Sequence, residues 1–92
     1  MATYLMFGKY SPQGMQEMTP QRTAKAIDVI KLNGGSVEAM YAALGPTDLV
    51  FVLNFPGNNE AMKASVALGK MTGIGFTTCP AVTVAEFDKL LG

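Results

Sequence analysis

At 92 residues and 9.7 kDa the chain makes one domain with a thin core: area scaling gives about 5,100 Å² exposed when folded against about 14,000 Å² unfolded, so roughly 64% is buried. Hydrophobic residues at 49% and charged residues at 15% exclude a chain disordered by composition. Seven basic residues balance seven acidic ones, which removes the basic excess that draws nucleic acid or an acidic membrane surface.

Residues 3–10, rich in aromatics, read as a first strand, and Ser11-Pro12-Gln13-Gly14 ends it with turn chemistry. A helix is predicted from Pro20 to Leu32, with Thr19 as N-cap and Pro20 at the first helical position. Ala26, Ile27 and Ile30 share one of its faces, and Asn33-Gly34-Gly35 stops it. Residues 36–43 read as a second strand. After the Gly45-Pro46-Thr47 turn, residues 48–55 carry the strongest strand signal in the chain, Leu-Val-Phe-Val-Leu at its centre. Pro56-Gly57-Asn58-Asn59 breaks it, and Asn58 or Asn59 caps a helix over residues 60–72. Its inner face is Ala61, Ala64, Ala67, Leu68 and Met71, and Gly73 ends it. Residues 76–82 form a fourth strand, placed toward an edge by Pro80. Thr83 and Glu86 form a capping box that opens a short last helix over residues 84–91.

This order, βαββαβ plus a terminal helix, is the α+β, ferredoxin-like plan: an antiparallel sheet with both long helices on one face. A sheet covered on one side alternates apolar and polar residues. Here Leu5 and Phe7 oppose Tyr4 and Met6 in the first strand, and Val50 and Val52 oppose Leu49, Phe51 and Leu53 in the third. Both faces therefore demand burial. Two helices cover one, and the last helix is too short for the other. A second copy of the chain, sheet against sheet, is the economical cover; loops and the last helix are the alternative.

The opening Tyr4-Leu5-Met6-Phe7-Gly8-Lys9-Tyr10, followed by Gln13-Gly14, resembles the start of GYD-domain proteins. Leu44-Gly45-Pro46-Thr47-Asp48-Leu49-Val50 sits where that family carries its Gly-x-Tyr-Asp signature, and Gly34-Gly35 and Thr78 also fit. The resemblance spans nearly the whole chain. It implies a small, mostly bacterial family of uncharacterised function, related to dimeric α+β barrel proteins in which two ferredoxin-like units pair their sheets. Thr47 stands in the place of the signature tyrosine, so a role for that phenol does not carry over.

Chemistry-bearing residues are sparse. The chain has no histidine, which removes the commonest general base and metal ligand, and its carboxylates are dispersed without metal-ligand spacing. No metal and no cofactor is expected. The single cysteine, Cys79, excludes an intrachain disulfide framework and points to a reducing, cytoplasmic compartment; no neighbour activates it, and a buried inert thiol is expected. No apolar run reaches membrane-spanning length, and Lys9 interrupts the only apolar stretch near the start, so no leader pattern is expected. The glycines at 69, 73 and 75 lack a phosphate-loop pattern, and the methionines read as an adaptable core.

Four residues remain as ligand-binding candidates. The central, antiparallel first and third strands bring Lys9 beside Asp48 at one mouth of the sheet, where the pair can hold a polar group or act in proton transfer. A structural ion pair, or Asp48 fixing the turn before it, serves the same residues equally. Tyr10 and Tyr41, with Tyr4, offer phenols toward the open sheet face, or fill a dimer core there.

Three functions compete: a homodimer binding a small molecule in a cleft at the sheet, a cofactor-free oxygenase- or isomerase-like enzyme, and a structural or regulatory module without ligand. A cavity on which Lys9, Asp48 or Tyr41 converge favours the first two. Neither nucleic acid nor membrane is an expected partner.

Overall fold

Aromatic and β-branched runs separated by proline- and glycine-bearing turns produce four strands, and capped amphipathic stretches produce the helices between them. The computed structural model describes residues 1–92. In chain order the elements are β1 (Ala2–Lys9), α1 (Pro12–Gln16), α2 (Pro20–Leu32), β2 (Ser36–Ala42), β3 (Leu49–Phe55), α3 (Asn58–Thr72), β4 (Gly75–Ala81) and α4 (Val84–Leu91). The sheet is antiparallel in the order β2-β3-β1-β4, the arrangement of the split βαββαβ plan, with β1 and β3 central and β4 at an edge.

Strand ends shift by a single residue from the expected bounds, and two helix starts differ from them. Ser11-Pro12-Gln13-Gly14 opens the short helix α1 rather than a simple turn. Ser11 accepts a hydrogen bond from the Gly14 amide, and Pro12 supplies the fixed φ of a first helical residue. The N-cap of α3 is Gly57, which offers no side-chain acceptor, and Asn58 and Asn59 lie inside the helix. Asn58 is spent elsewhere, its Oδ1 accepting from the Tyr4 hydroxyl at 2.6 Å. Thr83 caps α4 through the Glu86 amide, as the capping-box pattern implies.

The core lies between the sheet and the α2–α3 layer. Tyr4, Met6, Phe51, Leu53 and Phe55 project from β1 and β3 onto Ala26 and Ile30 of α2 and Ala61, Ala64 and Leu68 of α3. Small residues on α3 let that helix sit close to the sheet. Gly35 serves the same end: a Cβ there would lie 2.7 Å from Phe55 Cδ1 and 2.9 Å from the Asn54 carbonyl oxygen. Met71, expected on the inner face of α3, is at its margin, and Thr72 is buried instead, donating to the Leu68 carbonyl and accepting from the Ile74 amide.

The opposite sheet face has no helix on it. Cross-strand register places Leu5, Phe7, Val50, Val52, Ala39 and Cys79 together there. One end of this face is polar: Thr3 donates to Asn54, and Asn54 donates to Glu38 at the β2 bulge. The helix α4 buries none of its residues and exposes Val84, Phe87, Leu90 and Leu91. The molecule measures 48 × 30 × 18 Å with a radius of gyration of 13.6 Å, against about 12.3 Å for a compact chain of this length. Its accessible surface is 5948 Å², roughly 800 Å² above the area expected from its mass. A bare sheet face and an undocked helix leave it less compact than a closed monomer.

Candidate functional site

A cavity of about 610 Å³ opens between α2, the segment leading into it, and the end of the sheet where β1 finishes and β3 begins. Strand register explains its floor: Leu49 and Phe51 of β3, Met40 of β2 and Phe76 of β4 all point to the helix-covered side. Gly8 keeps this floor open, since a Cβ on it would lie 2.9 Å from the Phe76 ring and 3.3 Å from Leu49. Ala26 and Arg22 of α2 form a wall, Ile74 closes one side, and Met18, Tyr10 and Tyr41 stand at the rim. Ten of the fifteen lining residues are hydrophobic, and Arg22 alone carries a charge.

Arg22 is half-buried, and its Nη1 donates to the Gly14 carbonyl, tying α2 to α1. No carboxylate pairs with it. Sequence reasoning missed Arg22. The available signal was spacing: Arg22 precedes Ala26 by one helical step of four residues and Ile30 by two, which places it on the buried stripe.

The four candidates from the sequence divide. Tyr10 lines the cavity on the helix-covered side, not the open sheet face toward which it was expected. Tyr41 touches it at the edge strand, while its register partner Val50 assigns its side chain to the open sheet face, where it is 61% exposed. Tyr4 lies on the helix-covered face, its hydroxyl held by Asn58, and does not reach the open face. Lys9 and Asp48 occupy neighbouring positions at the sheet mouth, but neither lines the cavity and no ion pair joins them. Lys9 is exposed. The Asp48 carboxylate accepts the Tyr10 amide at 2.8 Å, and its own amide donates to the Gly8 carbonyl at 2.9 Å.

Asp48 thus fastens the end of β1 to the start of β3, just below the rim residue Tyr10. Before it, Gly45 holds a φ of +124°, a region closed to ordinary side chains, so the turn needs its glycine for conformation. The glycine and aspartate of the resemblance are both explained by this one joint. The family model for the GYD domain matches residues 4–91. The chain belongs to the GYD domain family. In this GYD domain Thr47 stands at the signature tyrosine's position, half-buried between those two residues. Neither the curated proteins nor the solved structures contain a match to the chain.

Cys79 is half-buried rather than buried, because β4 turns it to the uncovered sheet face beside Leu5. No cluster of three or more His, Cys, Asp or Glu side chains is placed to hold a metal ion. No helix is long and apolar enough to cross a membrane.

Proposed function

We propose that this GYD domain is a homodimeric small-molecule-binding protein, with one ligand cleft per chain between α2 and the sheet. The observation that carries the reading is the cavity. At about 610 Å³ it falls within the roughly 300–1,000 Å³ of small-ligand sites, with an apolar lining and few convergent polar groups. Tyr10 and Arg22 supply those groups, and Tyr41 adds to the rim. Asp48 contributes by holding Tyr10 in place, and Lys9 lies outside. The lining holds no carboxylate, imidazole or amine to serve as a base, which favours binding over turnover. The dimer is supported by the bare apolar sheet face.

Native mass spectrometry of the purified protein tests the ligand reading. The expected spectrum contains a mass above the polypeptide alone, with a small organic molecule released on denaturation or taken up from an added compound set. A chain that carries nothing and takes up no apolar compound at millimolar concentration overturns the reading.

A further inference from the structure

We infer that the cleft selects small monoanionic amphiphiles, an apolar body of alkyl or aryl type ending in a carboxylate, with Arg22 as the group that reads the charge. The inference rests on the cleft being the ligand site and goes beyond it by naming the ligand's chemistry. A guanidinium has five N–H donors in a planar fork. In Arg22 only Nη1 has a partner, the Gly14 carbonyl, which fixes the side chain without neutralising it. Nε and Nη2 have none in the protein, and together they form the edge that meets both oxygens of a carboxylate. The cation sits half-buried against apolar walls with no counter-ion, so an anion arriving there gains more than it would at an open surface.

The rest of the lining sets the limits. Phe51, Phe76, Met40 and Ile74 offer only apolar contact, so the body of the ligand is hydrophobic. A single cation faces the site, and the chain's net charge is zero, so a phosphate dianion or a polyphosphate lacks the second positive group it needs. The Tyr10 phenol and the Thr19 and Thr23 hydroxyls, all of lining residues, are further donors near the rim.

Octanoate and 1-octanol, equal in chain length and differing in charge, form the test, followed by NMR titration of the ¹⁵N-labelled protein. Octanoate is expected to bind at least about tenfold more tightly than octanol, with shifts centred on Phe76, Ile74 and Ala26. Its affinity should fall as salt rises while that of octanol does not. Arg22→Gln should remove the preference for octanoate over octanol; Arg22→Lys, which keeps the charge but loses the fork, should retain part of it. Equal binding of both probes at these residues, without salt dependence, overturns the assignment to Arg22 and leaves the cleft reading intact. Binding of neither probe, or shifts elsewhere, overturns both. The salt dependence is read on the unmodified protein, so the outcome does not depend on the variants folding.

Discussion

At the scale of single residues, the signature aspartate is a structural fastener with a functional consequence. Asp48 accepts the Tyr10 amide through Oδ2, a half-buried contact between the end of β1 and the start of β3. Removing the acceptor strands a backbone donor, which costs about 1–3 kcal/mol. Asp48→Ala is therefore expected to lower the melting temperature by about 4–8 °C for each kcal/mol lost, and Asp48→Asn, which keeps an acceptor oxygen of the same reach, to restore most of it. Thermal melting followed by circular dichroism measures both. If asparagine destabilises as much as alanine, charge rather than hydrogen bonding is what the position supplies. Because Asp48 holds Tyr10 and not the ligand, its alanine variant should weaken binding only as far as the rim loosens.

At the scale of elements, α2 couples stability to the cleft. Its N-terminal turn carries Thr19, Pro20, Arg22 and Thr23, all of them lining residues, and Thr19 holds that turn by accepting the Arg22 amide at 3.1 Å. Thr19→Ala should cost about 0.5–2 kcal/mol, read by chemical denaturation, and Thr19→Ser should recover nearly all of it. The same variant should reduce octanoate affinity more than octanol affinity, since the frayed turn is the one that aims Arg22. Elements of this kind were legible in the sequence. The bounds of α2 follow from Thr19-Pro20 at one end and Asn33-Gly34 at the other, and those of α4 from Thr83 and Glu86. β3 was legible from its apolar run, its central place from the topology. α1 was not, because Ser11-Pro12 is equally the start of a turn and the N-cap and first residue of a helix. The cleft was less legible. Tyr10 was expected toward the open sheet face and instead lines the cavity with α2, just past the end of β1. The arginine that gives the cleft its charge lies on a helix whose inner stripe is otherwise apolar, and an amphipathic pattern discounts a lone cation at its margin.

At the scale of the whole molecule, the proposed dimer rests on the uncovered sheet face. Val52 sits near its centre, opposite Leu5 on one side and Ala39 on the other. In a lone chain this face is already open, so Val52→Glu should leave the monomer folded, with helix and sheet content unchanged by circular dichroism. In a two-fold dimer the same substitution enters twice, and each carboxylate meets apolar surface that offers it no partner. A penalty of several kcal/mol weakens association by at least about a hundredfold. Sedimentation at micromolar concentration is expected to give two chains for the parent protein and one for the variant. Cys79 provides a second readout on the same face: in the parent the partner's sheet shields its thiol, so labelling by a maleimide should be slow, and in Val52→Glu it should become fast. A parent protein that sediments as one chain and labels rapidly leaves the apolar face bare in solution, and dimerisation through it is then wrong. A parent dimer that survives Val52→Glu, with Cys79 still open to the reagent, places the interface elsewhere. The undocked apolar stripe of Val84, Phe87 and Leu91 on α4 is then the surface left to make it.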